Sequence, residues 1–302
     1  MTGPAGSLLG RALPGWAADD HQAALASYLV TADLLSADWP RPAEGPARAF
    51  FERAFLPRAI TQPALLTGYY EPELEGSPTP TDQFRHPLYG PPEGWAAGQL
   101  WYDRTEIEER DLLAGGELVW LDSPLDAFLA QVQGSVRVRL PDGQALRLGF
   151  AGKNGHPYSS IGKELIRRGA LPETNASVAA IRDWAARHPD QLTDLLRTNA
   201  SFVFFRVLDL PADTGPLGTM QRPVTALRSI AVDPDHIPLG APVWVEWQGN
   251  ARLMIAQDTG SAIKGPARGD IFFGTGTKAG LQAGALKAMG RLTVLLPKAI
   301  KP

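Results

Sequence analysis

Residues 256–276, AQDTGSAIKGPARGDIFFGTG, carry the most suggestive chemical spacing in the chain. An apolar run, LMIAQ, leads into Asp258. A loop punctuated by Gly260, Gly265 and Gly269 follows, and Asp270 opens a second apolar run, DIFFG. Read as adjacent short strands, the pattern brings the two carboxylates within several ångströms of each other. The loop glycines let the backbone approach a ligand closely. Burial and a neighbouring charge can hold one carboxyl protonated while the other stays ionised, the division of labour that glycosidic bond cleavage requires. The plainer reading is that Asp258 starts an Asx-turn and Asp270 caps a strand.

Two other clusters carry side chains suited to a sugar. In LLTGYYEPELEG (65–76), Tyr69 and Tyr70 followed by Glu71 form an aromatic wall beside a carboxylate. Sugars are held this way, an apolar ring face on an aromatic and hydroxyls on charged groups; a strand end with one tyrosine buried fits equally. In GFAGKNGHPYSSIGKEL (149–165), Lys153, Asn154, His156, Tyr158 and Ser160 are ligand donors, or members of an ordinary loop with a serine cap. Other chemistries drop out. There is no Gly-x-Ser-x-Gly elbow and no phosphate-binding loop of the Gly-x4-Gly-Lys kind. His21, His86, His156, His188 and His236 are scattered singly, so no metal site and no cofactor are expected. With no cysteine in the chain, thiolate zinc, iron–sulfur clusters, disulfides and cysteine nucleophiles are excluded.

The elements that must position these residues are legible in outline. At 302 residues, 44% apolar and 20% charged, the chain is long enough for about two domains with sizeable cores. A net charge of −3 removes the argument for a nucleic-acid partner. The charge is uneven, net +4 over residues 206–302 and −7 before them, a weak pointer to an anionic ligand in the last third. No run approaches the ~18 apolar residues of a membrane span. MTGPAGSLLGRALPGW shows neither a basic n-region nor a continuous apolar h-region, so no export signal is read there.

Apolar spacing predicts helices over 20–35 and 42–60, and Gly- and Pro-dense strand and loop after Leu65. ELVWL (117–121) reads as a strand. Ser123-Pro124 opens a helix through Gln133, and VRVRL (136–140) pairs with ALRLGF (145–150) as a hairpin. Helices follow at about 160–168, at 175–187 behind Thr174, and at 190–197. From Ser201 the runs SFVFFRVL, SIAV, APVWVEW, ARLMIAQ, DIFFG and RLTVLL are strand-like, and six in so short a span suggest a small barrel or sandwich. Boundaries are placed near 105 and near 200–206. Residues 1–105 then hold N-terminal helices and the first part of a barrel, 106–205 an insert, and 206–302 the rest of the barrel.

Together these stretches resemble the membrane-bound lytic murein transglycosylase A family. The resemblance is carried by TGYYEPEL (67–74), LDSPLDAFLAQVQGSVRVRL (121–140), GFAGKNGHPYSSIG (149–162), GPLGTMQRPVTALRSIAVDPDHIPLGAPVWV (215–245) and LMIAQDTGSAIKGPARGDIFFGTG (253–276). The last two look like the family's C-terminal three-aspartate domain, with Asp233, Asp258 and Asp270 as its aspartates. The resemblance implies a mainly β fold with α, in which a second β-rich domain is inserted into a double-psi β-barrel. It also implies a lyase that cuts the β-1,4 bond between N-acetylmuramic acid and N-acetylglucosamine without water and leaves a 1,6-anhydro ring. The family's catalytic acid carries over to Asp270, with Asp258 beside it to raise its pKa. Tyr69, Tyr70, Glu71, Gln133, Lys153, His156, Tyr158 and Asp233 become the expected contacts of a peptidoglycan strand. The site of action implied is the periplasm, with peripheral association to the outer membrane. Two alternatives stay open: a hydrolase using both carboxylates and water, and an inert wall-binding protein.

Overall fold

The computed structural model describes residues 8–298; the start of the segment read for an export signal, and the chain's last four residues, lie outside them. In chain order the elements are α1 (Leu8–Ala12), a 3-10 turn (Trp16–Ala18), α2 (His21–Ala32), α3 (Ala47–Ala54), β1 (Phe55–Ala59), β2 (Ala64–Glu71), β3 (Glu73–Ser77) and β4 (His86–Tyr89). Next come α4 (Arg104–Glu109), β5 (Glu117–Leu121), α5 (Pro124–Gln133), β6 (Ser135–Arg139), β7 (Ala145–Lys153), α6 (Ile161–Arg167), α7 (Val178–Arg187) and α8 (Pro189–Arg197). The last are β8 (Val203–Val207), β9 (Ser229–Ala231), β10 (Pro242–Trp247), β11 (Asn250–Asp258), β12 (Arg268–Thr275), α9 (Gly276–Ala285) and β13 (Lys287–Pro297). They form two compact units. The first comprises 1–69, 213–274 and 281–302; the second comprises 70–212 and 275–280.

The first unit is built on a seven-stranded sheet ordered β1-β13-β10-β11-β9-β12-β2. A further pairing of β13 with β2, running from Lys287↔Thr67 to Gly290↔Ala64, closes six of these strands into a circuit with β1 as an outlying partner of β13. Closure removes the exposed edges that an open sheet leaves. β9 runs parallel to β11 and antiparallel to β12, and the other recorded pairings are antiparallel. The β10–β11 hairpin turns at Gln248 and Gly249, both with positive φ (46° and 78°), the two-residue turn that matches strand twist. The core joins these strands to α1–α3 through Trp16, Tyr28, Phe50, Phe51, Phe55 and Trp244.

The second unit holds a six-stranded sheet ordered β4-β5-β3-β6-β7-β8, with α5–α8 packed around Leu125, Phe128, Leu165, Trp184 and Leu195. Here local signals translate directly. Ser123 accepts from the Asp126 N–H, Pro124 is the first helical residue, and Gly134 ends α5 at φ 79°. The hairpin expected here forms, pairing Val136↔Leu148 and Arg137↔Arg147.

Three expectations need correction. The helix placed at 42–60 stops at Ala54, and Phe55–Ala59 is a strand against β13. Pro57 lacks the N–H a helix needs and disfavours helix at Leu56. The boundary placed near 105 falls instead after Tyr69: β3 pairs with β5 and β6, and β4 with β5, so this turn-dense stretch belongs to the second sheet. SFVFFRVL likewise becomes β8 and pairs with β7, and β2 takes its place in the first sheet. At finer grain, the cap expected at Thr174 is Ser177, whose hydroxyl accepts from the Ala180 N–H.

Candidate active site

β9 is three buried residues long and lies between β11 and β12. Its last residue, Ala231, is in register with Asp258 on one side and with Asp270 on the other. Residues aligned across neighbouring strands share a face, so both carboxylates leave the same face of the sheet, flanking one methyl group. This corrects the expectation of adjacent strands. The connection from β11 to β12 passes over β9, and two strand spacings, about 9.6 Å, separate the two backbones. The register shifts between Ala256 and Asp258, an irregularity of the kind that re-aims a strand's terminal side chain.

The two carboxylates meet different partners. Asp258 Oδ1 accepts from the Thr219 N–H (2.9 Å), the Thr219 hydroxyl (3.0 Å) and the Thr259 N–H (2.9 Å), and Oδ2 accepts from the Tyr69 hydroxyl (2.8 Å). Asp270 Oδ1 accepts from the Thr67 hydroxyl. Burial pushes the Asp270 carboxyl up to about 6. The Thr67 hydrogen bond and the Arg268 charge oppose this, and the Asp258 charge adds to it. Of the two influences that raise it, burial is the larger and the Asp258 charge the smaller. Asp258 is also raised by burial, against the pull of its donors. Between them the Tyr69 phenol is held well above its ordinary value by burial and by both carboxylates.

Around this pair the supports are close-fitting. Thr67 and Tyr69 are two apart on β2 and share a face, and Tyr69 packs on Phe272 at 5.2 Å. Gly68 between them lies so close to neighbours that a Cβ would sit 2.7 Å from the Phe273 ring and 2.8 Å from the Ala283 backbone. Behind Asp258, buried Gln257 is fully engaged. Its Nε2 donates to the Ser27 carbonyl (2.8 Å) and the Thr31 hydroxyl (3.1 Å), and its Oε1 accepts from the hydroxyls of Ser27 (3.1 Å) and Ser229 (2.5 Å). α2 is thereby locked to the end of β11. Asp233, 4% exposed, is used by the loop after β11: Oδ2 accepts from the Gly265 N–H at 2.7 Å and Oδ1 from the Asp235 N–H at 3.3 Å, and these bonds hold its carboxyl low.

Of the residues singled out from sequence, Asp258, Asp270, Tyr69 and Asp233 fall in the first unit, where the first three converge. The other six belong to the second unit. Tyr70 donates its N–H to Gln133 Oε1 at 3.1 Å, and His156 Nε2 lies 2.8 Å from the Trp101 carbonyl. Lys153 ends β7, and burial raises the Tyr158 phenol while Ser160 hydrogen-bonds it. Glu71 is not an open sugar contact. At 1% exposure it accepts from Arg137 Nε (2.7 Å), Arg147 Nη2 (3.2 Å) and the Thr275 hydroxyl (2.8 Å). The sequence reading missed Thr67, Thr219, Gln257 and Arg268. Period-2 spacing offered a signal for Thr67 and Arg268, two before Tyr69 and Asp270; Thr219 reaches Asp258 across 39 residues and left none. Among the described residues no cluster of acidic or histidine side chains is arranged to hold a metal ion.

A closed β circuit carrying this acidic pair, in a chain with a second β unit, is a class of protein with matching family models: the MltA specific insert domain over residues 65–206 and the 3D domain over 228–296. A membrane-bound lytic murein transglycosylase from Agrobacterium tumefaciens is 33% identical, with 97% of each chain covered and a TM-score of 0.86. A curated membrane-bound lytic murein transglycosylase A from Vibrio cholerae is 35% identical over 243 residues, 76% of this chain. Escherichia coli MltA, solved with bound chitohexaose, is 35% identical over 78% of this chain and 72% of that one, at a TM-score of 0.71. This chain belongs to the MltA family of lytic murein transglycosylases, with its β-rich, mixed α/β fold of two sheets. It spans 64% of the length of the curated relatives it matches.

Proposed function

We propose that this protein is a lytic transglycosylase of peptidoglycan, cleaving the β-1,4 bond between N-acetylmuramic acid and N-acetylglucosamine and leaving 1,6-anhydromuramic acid ends. The observation that carries the reading is the unequal pair: a buried Asp270 with its carboxyl near 6, beside an Asp258 that accepts four hydrogen bonds. Donors to a carboxylate favour its ionised form. Burial raises both carboxyls, and the four donors at Asp258 pull against that rise; on that difference we assign Asp258 as the standing anion and Asp270 as the acid.

The chemistry follows from that assignment. Asp270 gives its proton to the departing sugar oxygen as the bond to the anomeric carbon breaks. The muramyl O6 then closes on that carbon and returns its proton to Asp270. Attack from within the same sugar makes a positioned water, and a second carboxylate to activate it, unnecessary. Asp258 and the Tyr69 hydroxyl hold a negative, oriented environment beside the developing positive charge. In the second unit Tyr70, Gln133, Lys153, His156 and Tyr158 are the side chains we propose as sugar contacts. The six-strand circuit, with β9 parallel to β11, supports a double-psi reading of the first unit, with the second unit as its insert. We propose that it works in the periplasm, near the outer membrane, a reading supported by where such a substrate lies; no described helix is long and apolar enough to cross a membrane.

The test is mass spectrometry of soluble muropeptides released from purified sacculi. Anhydro products, lighter by one water than reducing-end products, are expected. Reducing ends would replace this reading with the two-carboxylate hydrolase, and no release of soluble product with retained sacculus binding would replace it with a wall-binding role.

A further inference from the structure

Arg268 stands two residues before Asp270 on β12, so the two side chains leave the same face of the strand. Its guanidinium is partly buried and directed at neutral oxygens. Nη1 donates to the carbonyls of Leu65 (3.2 Å) and Gly269 (2.6 Å), and Nη2 donates to the Thr67 hydroxyl (2.7 Å). A guanidinium can only donate, whereas a threonine hydroxyl has one proton and two lone pairs. Thr67 therefore receives Arg268 on a lone pair, and its single proton is committed to Asp270 Oδ1.

We propose that Arg268 is a positioning residue acting through Thr67: it locks the hydroxyl toward Asp270 Oδ1, so that Oδ2 carries the proton the acid transfers, and it steadies the carboxylate left behind. The relay rests on the transglycosylase reading only for its role in turnover; the hydrogen-bond geometry stands without it. In the reaction the proton leaves Oδ2 for the departing sugar oxygen as the glycosidic bond breaks. It is replaced from O6 as the new C–O bond forms, while Thr67 and Arg268 keep their protons throughout. A lone buried carboxyl would be a willing acid but a poor recipient of the second negative state. A donor fixed on its other oxygen lets one group serve in both directions.

The charged and titratable groups facing Asp270 are Arg268 on its own strand, Asp258 from β11 and Tyr69 from β2, with the Thr67 hydroxyl beside it. Arg268 and Thr67 both favour the ionised acid, so removing either raises its pKa. The experiment is an NMR titration of the protein labelled at aspartate carboxyl carbons, with Asp270 assigned by Asp270→Asn. We expect Arg268→Gln and Thr67→Val each to raise the Asp270 carboxyl by about one unit. Thr67→Ser, which keeps the hydroxyl, should leave it in place, and Arg268→Lys, which keeps charge without the fork, should restore part of the shift. The alkaline limb of kcat/KM should move upward with the carboxyl, a change that loosened packing alone does not produce. An Asp270 carboxyl unmoved or lowered in folded Arg268→Gln overturns the relay, even where Thr67→Val fails to fold. The carboxyl titration needs no substrate, so a wild type that releases no anhydro product sinks the catalytic reading while the titration still decides the relay.

Discussion

Asp258 and Asp270 share a sheet face, and their hydrogen-bond donors distinguish them. Asp270→Asn keeps the shape but cannot pass a proton. In the proposed mechanism one group acts as acid and then as base, so the loss of turnover should reach or exceed the upper end of the roughly 10²–10⁴-fold usual for general acid catalysis. The same variant should be more stable than the wild type at pH 7. A carboxyl raised to about 6 binds its proton more tightly folded than unfolded, so folding stability falls as pH rises from 3.8 towards 6. Removing that burden is worth about 1–3 kcal/mol, read from urea denaturation at pH 7. Asp258→Asn should retain measurable activity. Its missing charge lowers the Asp270 carboxyl, so the alkaline limb of kcat/KM moves to lower pH, by a small step because burial dominates the shift. Equal and complete loss in both variants would instead favour the two-carboxylate hydrolase. At this scale the two aspartates were legible from their strand and loop context. Glu71 was misread, because nothing local announces that Arg137 and Arg147 fold onto it.

Strand β2 brings Thr67 and Tyr69 to the acidic pair, and the close approach of Gly68 to β12 and α9 sets where it lies. Gly68→Ala places a methyl group against the Ala283 backbone, which cannot turn aside as a flexible side chain would. β2 must shift. We expect more than tenfold loss of kcat with a stability cost of about 1–3 kcal/mol, measured by muropeptide release and thermal unfolding. Wild-type kcat in this variant would mean that Thr67 and Tyr69 tolerate displacement. Elements whose signals are local were readable: α5 from its serine cap and proline, β6–β7 from alternation around a turn. Elements that depend on a distant partner were not. Phe55–Ala59 continues a helical pattern by composition and becomes a strand because β13 offers it a ladder and Pro57 denies it a helix.

Across the whole molecule, two buried charge arrangements give each unit a separate signature. In the second unit, Glu71→Ala leaves Arg137 and Arg147 without their carboxylate, and removing one partner of a buried pair costs about 3–5 kcal/mol. Thermal unfolding should show a large downward shift, and an unchanged transition would mean that water replaces the carboxylate. In the first unit, His21 packs edge-on against Trp16 at 4.4 Å, and burial holds its imidazole below the usual 6.5 despite Asp19 nearby. The unfolded chain then takes up the His21 proton more readily than the folded one. Its contribution to stability is full above 6.5 and declines as pH falls below it. His21→Gln should flatten that decline, measured as the difference between variant and wild-type denaturation midpoints at pH 5 and pH 7.

Local chemistry is written in short windows of sequence, so the acidic loop, the helix caps, the hairpin and the strand-rich last third could be read directly, and the five family-like stretches with them. Which strands pair is decided over long separations by which apolar faces can be buried together. β2 therefore replaced β8 in the first sheet, β9 entered between the two aspartates, and the chain divided after Tyr69 and not near 105. The inequality of Asp258 and Asp270 arose at that same level. Burial raises both carboxyls, while the donors reaching them from Thr67, Tyr69 and Thr219 differ in number and kind, and those groups meet only once the sheet has closed.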